Sequence, residues 1–239
     1  MGPPPTGPFG LRSDVYRRPL ATALERLGLG ARWRCVDVGA GTGDVAVALA
    51  ALVGPAGRIY AVDSDPRARD EVAAAAAAAG EAQVVAITQA GEDLVLPEPV
   101  DLAFCRFLLL HVHEPARVLA RMAAALRPGG YVVCQEPITS AGRVDGKPLA
   151  MPDARWPDVG ALLPRLVRDA GLELIDAWAE APAGSGAGPV AAYLESLTEV
   201  DPGEDAIVLP PLVTVIARRG GRSATPAPVP ARDVPVVET

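Results

Sequence analysis

The chain lacks most of what would tie it to a disulfide framework, nucleic acid or a membrane. Its 239 residues include only three cysteines and two histidines. Cys35, Cys105 and Cys134 are far apart, each inside a short apolar run. That placement predicts buried thiols and argues against a disulfide scaffold or a zinc knuckle. A reducing, cytoplasmic compartment is the expectation that follows. A surplus of positive charge is missing too: the formal net charge is -7 and the sequence pI is near 4.9. Binding phosphates requires Lys and Arg in excess on one face, so nucleic acid is not an expected partner. The longest featureless apolar stretch, Ala73 to Ala79, is about a third of the roughly 20 residues a membrane span needs. No charged segment precedes an apolar one as in a secretory signal, so no membrane partner is expected. No internal repeat is visible.

Half of the residues are hydrophobic, which provides for one sizeable core. Residues 1–10 are rich in Pro and Gly, and 220–239 combine Gly, Pro and Ser with almost no apolar period. The composition predicts two disordered ends around a single domain over residues 11–219. Within it, short β-branched runs alternate with longer Ala/Leu-rich segments, the pattern of repeated βα units on a largely parallel sheet. Candidate strands are 34–38, 58–62, 83–87, 100–106, 131–135, 173–179 and 207–217. Candidate helices are 44–52, 66–79, 115–126 and 159–170, with Gly80 and Gly171 as stops and Pro66 and Pro115 in first turns. A further helix before the first strand should break near Arg18, because Pro19 interrupts it. The segment 137–157 lacks periodicity and reads as a loop over one edge of the sheet.

The stretch Val36-Asp37-Val38-Gly39-Ala40-Gly41-Thr42-Gly43-Asp44 runs from a strand through a glycine-rich turn into a helix. Such a turn brings a ligand close to backbone amides and a helix N-terminus. The dinucleotide fingerprint wants its third glycine one position later, where this chain has Asp44, and a carboxylate there would repel a pyrophosphate. Asp37, two residues before the first glycine, suits a cation such as an amino-acid ammonium. Asp63 ends the second strand, beside the first turn of a doubly wound sheet, where it can accept two ribose hydroxyls. Asp65 fits a helix cap before Pro66. Gly91, Glu92 and Asp93, after the third strand, belong to the same edge and can flank an adenine or form a solvated acidic turn.

Taken in order, VDVGAGTGDVAVALA, IYAVDSDP, AGEDL, VDLAFCRFLLLHVHEP and LRPGGYVVCQEP resemble the small-molecule class I S-adenosylmethionine-dependent methyltransferases. The branch is that of ubiquinone/menaquinone-type and polyketide-tailoring enzymes. The resemblance implies an α/β, doubly wound, mostly parallel seven-stranded sheet, its last strand antiparallel and slotted between the fifth and sixth. It implies S-adenosyl-L-methionine as cofactor. Asp37, Gly39, Ala40, Gly41 and Gly43 would carry the methionine part, Asp63 and Ser64 the ribose side, Gly91, Glu92 and Asp93 the adenine side, and Arg106 the fourth-strand edge. Only 33 residues precede Arg34 and the connections after Pro137 are short, so a reduced cap is expected. That leaves room for a large or carrier-held acceptor, for a homodimer whose second copy lends a lid, or for a scaffold that binds the cofactor without methylating.

Methyl transfer is an in-line displacement, so positioning supplies much of the acceleration, with a general base where a hydroxyl must lose its proton. His111, just past the fourth strand, is the candidate base; His113 fits the start of the next helix. Glu136 ends the fifth strand and can hold a cationic acceptor or act as a base if burial raises its pKa. No metal is expected, because no Cys or carboxylate set joins the two histidines apart from Glu114. Tyr16 with Arg17 or Arg18 can close over the methionine carboxylate. Trp33, Trp156 and Trp178 read as core anchors. The expected activity is transfer of a methyl group to a small-molecule acceptor, with O-methylation ahead of N or C. A nicotinamide-dependent oxidoreductase is disfavoured by the glycine spacing.

Overall fold

The computed structural model describes residues 8–149, 151, 154–198 and 200–220. Most of the disordered ends expected at 1–10 and 220–239 lies outside the described residues; residues 8–10, however, open a helix, and Gly220 directly follows the last strand.

Eleven strands and seven α-helices run along the described chain. The strands are β1 (Arg34–Val38), β2 (Arg58–Asp63), β3 (Val84–Thr88), β4 (Val100–Arg106), β5 (Leu126–Pro137), β6 (Arg143–Val144), β7 (Lys147–Pro148), β8 (Leu172–Glu180), β9 (Ala183–Ser185), β10 (Ala206–Val208) and β11 (Leu212–Arg219). The helices are α1 (Pro8–Val15), α2 (Arg17–Leu27), α3 (Asp44–Val53), α4 (Pro66–Ala79), α5 (Pro115–Ala125), α6 (Val159–Asp169) and α7 (Pro189–Leu197). Seven strands form the main sheet in the order β3-β2-β1-β4-β5-β11-β8. β11 is antiparallel to both β5 and β8, whereas the pairs from β3 to β5 are parallel. The chain winds outward from β1 to β3 and then returns to place β4 on the other side of β1. That reversal opens a crevice at the carboxyl ends of β1 and β4, where ligands of such sheets bind.

Strand alternation divides the core into two layers. Val36, Val38, Tyr60, Val62, Ala103, Cys105, Val132 and Cys134 face α5 and α6, and pack on Val118, Leu119, Met122, Leu163 and Val167. Cys35, Ile59, Ala61, Leu102, Phe104 and Val133 face α2, α3 and α4. The three cysteines are buried free thiols. Burying both faces explains why these strands read as continuous apolar runs. Asp65 caps α4 by accepting from the Arg67 N–H at 2.9 Å, with Pro66 in the first turn and Gly80 left-handed at the stop.

Four local expectations need correction. The break before β1 falls at Tyr16 and not near Arg18; Pro19 sits in the first turn of α2, where its missing N–H costs nothing. The strand expected over 207–217 is two strands, because Pro210 and Pro211 cannot donate to a ladder. The loop expected over 137–157 contains the hairpin β6–β7, turned by Asp145 and Gly146 at φ +47° and +75°, the Asp-Gly signature of a tight hairpin. It joins a second sheet, β7-β6-β10-β9. Trp156 is not a core anchor: it is 39% exposed, and its indole N–H donates to the Val112 carbonyl at 3.2 Å. Trp33 and Trp178 are half-buried.

The second sheet, α7 and α1 form a small cap over the carboxyl edge of the main sheet. Its strands are two or three residues long. Tyr16, Tyr193, Leu194, Ile207, Leu209 and Leu212 make its core. Among the described residues, no helix is long and apolar enough to cross a membrane.

Candidate active site

The glycine turn after β1 is backbone architecture. Gly39 and Ala40 both donate to the Val62 carbonyl, at 2.8 and 3.0 Å, which ties the turn to the end of β2. Gly41 stands at φ +49° with open space where a Cβ would be. Gly43 caps α3 at φ +88°, and a Cβ there would meet the Val72 Cα at 3.1 Å. A left-handed backbone pressed against a neighbouring helix requires glycine. A Cβ on Gly39 would lie 2.8 Å from the Leu108 side chain.

Beneath this turn is a narrow recess lined by Asp37, Gly39, Ala40 and Arg106, together with Arg12 of α1 and Asp44 of α3. Asp37 is buried, and its Oδ2 has no hydrogen-bond partner among the described residues. Burial pushes the Asp37 carboxyl up to about 7, against the pull of the Arg106 cation and of a backbone hydrogen bond from Ala46. Arg106, also buried, is brought down to about 10 by burial and then by the Arg12 cation, and so stays charged at neutral pH. Burial lowers Arg12 as well. The Ser13 hydroxyl donates to the Asp44 carboxylate and ties α1 to the start of α3. One buried carboxylate with an uncommitted oxygen, two guanidinium groups and an open glycine surface suit a zwitterionic amino-acid group. Asp44 lines the same recess, which disfavours a pyrophosphate.

Asp63 closes the neighbouring corner. Its Oδ2 accepts from the Gly41 N–H at 2.9 Å and its Oδ1 from the Asp65 N–H at 2.9 Å. Each oxygen keeps a second lone pair for a ligand hydroxyl. Ser64, next in the chain, is exposed. Gly91, Glu92 and Asp93 form a 3₁₀ turn fastened to α5. A Cβ on Gly91 would lie 3.2 Å from Val38, Glu92 accepts from the His113 N–H at 3.1 Å, and Asp93 pairs with Arg117 at 2.8 Å.

After β4 the chain turns sharply through Phe107 at φ +52°. His111 follows, exposed at the carboxyl edge, with its N–H donating to the Leu108 carbonyl at 2.9 Å. Partial burial and the Arg12 cation hold its imidazole below the ordinary value, so it is neutral, and able to accept a proton, at neutral pH. Glu136 is fully buried. Its Oε1 accepts from the Leu108 and Leu109 N–H groups at 2.9 and 2.8 Å.

The order in which these parts occur has a counterpart among known proteins. Residues 11–177, well over half of the chain, match the family described as a methyltransferase domain. The chain belongs to this family, the class I S-adenosylmethionine-dependent methyltransferases. The trans-aconitate 2-methyltransferase of Methylobacterium nodulans is 34% identical over 126 residues, 52% of this chain and 46% of that protein. The chain spans about half the length of the curated relatives it matches. The N-methyltransferase NodS from Bradyrhizobium japonicum WM9, in complex with S-adenosyl-L-homocysteine, superposes with a TM-score of 0.58 at 16% identity, covering 87% of this chain and 90% of that one. The [4+2]-cyclase SpnF superposes with a TM-score of 0.62 at 22% identity, covering 86% and 82%. These two likenesses show the fold, and a fold does not fix the reaction.

The methyltransferase fold brings Asp37, Gly39, Ala40 and Arg106 into one recess and links Asp63 to it through Gly41. Glu92 and Asp93 lie outside that recess, bonded to the His113 N–H and to Arg117 of α5. Sequence reasoning missed Arg12 and Ser13, and used Asp44 only to argue against a pyrophosphate. For the first two, a signal was present: Leu11 and Val15, four residues apart, give α1 an apolar stripe that packs on the cap, and the helix thereby carries Arg12 to the recess. Tyr16 does not face the recess as a carboxylate clamp. It is buried, donates to the Pro210 carbonyl at 3.1 Å and meets the Phe107 and Tyr193 rings edge-on.

Proposed function

We propose that this domain transfers a methyl group from S-adenosyl-L-methionine to a small-molecule acceptor, at a hydroxyl oxygen. The observation that carries the reading is the recess in which buried Asp37, with its uncommitted oxygen, lies between Arg106, Arg12 and the glycine turn. In this reading Asp37 takes the ammonium and the two arginines the carboxylate of the methionine part, against Gly39, Ala40, Gly41 and Gly43. Asp63 and Ser64 take the ribose side; Gly91, Glu92 and Asp93 take the adenine side. The bound cofactor supplies an electrophilic methyl on a sulfonium.

The remaining work falls to the chain's own residues. His111 takes the acceptor's proton as the oxygen attacks, and α1 with the cap excludes water from the crevice. Partial identity with trans-aconitate 2-methyltransferase supports a small acceptor, as does the acidic charge balance. The buried free thiols accord with a cytoplasmic setting, and the short cap leaves room for a second copy to complete the enclosure. The domain itself is read as residues 11–219.

Calorimetry with S-adenosylmethionine and with a nicotinamide cofactor tests the first half of the reading: micromolar binding of the former alone is expected. Release of S-adenosylhomocysteine with hydroxyl acceptors tests the second. Binding with no release from any hydroxyl, amine or carbon acceptor would move the protein to a non-methylating role.

A further inference from the structure

Resting on that reading, we propose that Glu136 is a positioning residue. From the buried end of β5, it holds the turn after β4 in the one shape that presents Arg106, Phe107 and His111 together.

The β4 ladder runs out at Arg106, which pairs with Gln135, and the Phe107 N–H makes one more bond to the Gln135 carbonyl at 3.0 Å. The next amides, Leu108 and Leu109, have moved off the sheet. The Glu136 side chain takes over from its own backbone and accepts both at Oε1, at 2.9 and 2.8 Å. The Leu108 peptide held in this way presents its carbonyl to the His111 N–H at 2.9 Å. One carboxylate, one peptide and one hydrogen bond therefore connect β5 to the candidate base.

The same turn contains a residue that needs holding. Phe107 is one of three non-glycine residues with positive φ among those described, at +52°. A side-chain-bearing residue persists there only when its surroundings dictate the conformation. The twist carries the Phe107 ring to 4.9 Å from the Arg12 guanidinium, 5.6 Å from that of Arg106 and 5.0 Å from the Tyr16 ring. The turn therefore braces the two cations of the recess on one side and orders His111 on the other. Glu136 itself is 0% exposed; Oε1 carries the two amides, and Oε2 has no hydrogen-bond partner among the described residues. Burial raises its carboxyl to about 7, and the amides of Leu109, Leu108 and Leu110 pull it back towards the ionised form that accepts them.

The experiment compares Glu136→Gln and Glu136→Ala in the full chain. A glutamine carbonyl still accepts two N–H groups, so Glu136→Gln should lose about threefold in turnover. Glu136→Ala leaves the amides without an acceptor and should lose tenfold or more. Hydrogen exchange of the peptide spanning 107–111, measured without ligand, should quicken at least tenfold in Glu136→Ala and stay near the parent in Glu136→Gln. Should Glu136→Ala not fold, the exchange of Glu136→Gln against Glu136→Leu decides. Equal loss of turnover in the Gln and Ala variants with exchange unchanged would make Glu136 a base and overturn the proposal. Unchanged exchange alone overturns it too, even if the protein methylates nothing, because that readout needs no acceptor.

Discussion

Two turns at the carboxyl edge of the same sheet are built in opposite ways. After β1, the chain reverses on Gly39, Gly41 and Gly43, all at positive φ, and the backbone itself makes the surface. After β4, it reverses on Phe107 at φ +52°, and the Glu136 carboxylate, 28 residues beyond Leu108, secures it. The first turn forms on glycine without backbone strain and is tied to the end of the neighbouring β2 by Val62 and Asp63. The second exists only once β5 lies beside β4. A glycine turn offers amides and space to a ligand, whereas a braced turn offers fixed side chains; a site for positioning and proton transfer uses both.

The largest expected effect falls on the braced side. His111→Ala should lower turnover by about a hundredfold or more, while the dissociation constant for S-adenosylmethionine stays close to the parent. Single-turnover kinetics with a hydroxyl acceptor give the comparison, and parental activity in the variant would leave proximity as the whole of catalysis. Because burial and Arg12 hold the imidazole low, activity should already be near its plateau at neutral pH and fall only as pH drops below the ordinary imidazole value.

On the glycine side, Asp63→Ala removes an acceptor from the Gly41 and Asp65 amides as well as from the ligand. Charge-assisted hydrogen bonds are worth roughly 1.5–3 kcal/mol, so affinity for S-adenosylmethionine should fall by about ten- to a hundredfold. The fold should survive, as circular dichroism can show; an unchanged dissociation constant would reduce Asp63 to a brace for the turn.

Each turn lies over a buried carboxyl, Asp37 or Glu136, raised to about 7, and this sets stability against affinity. A folded-state pKa above the unfolded value of about 4 contributes stability that is complete below pH 4 and lost as pH rises through 7. The Tm of the ligand-free protein should therefore fall as pH rises from about 4 to about 7 and level off above that, and Asp37→Asn should flatten part of that slope. Cofactor affinity should move the other way, rising by up to about tenfold between pH 6 and 8, since an ammonium favours the ionised Asp37. A pH-independent affinity would remove Asp37 from the ammonium site. The smallest effect should come from glycine itself: Gly43→Ala, crowded by Val72, should cost about 1–2 kcal/mol of stability, and Gly41→Ala, facing open space, about 1 kcal/mol. Urea unfolding measures both, and the reverse order would mean that strain at φ outweighs crowding.

Much of the frame was legible before folding because its signals are local. The β-branched runs gave the strands of the parallel half of the sheet, Pro66 and Gly80 bracketed α4 to the residue, and Asp65 showed as its cap. The glycine spacing pointed to an amino-acid ligand in preference to a pyrophosphate, and the recess beneath that turn has the matching chemistry. The cap was not legible: β6 and β10 are two and three residues long and lie more than 60 positions apart, too short to carry a period. Arg12 was overlooked because its place in the recess depends on α1 packing against α7 of the cap, a contact between segments far apart in the chain.

The sequence by itself determined the strands and helices of the parallel half of the main sheet, and where the chain can turn on glycine, since periodicity, capping and φ preferences act within a few residues. Only the tertiary structure decided that Arg12, Asp37 and Arg106 share one recess and that Glu136 governs the turn leading to His111. Those contacts join residues 25 to 94 positions apart, and their strength comes from burial, which no stretch of sequence possesses until the sheet and its helices exclude water around it.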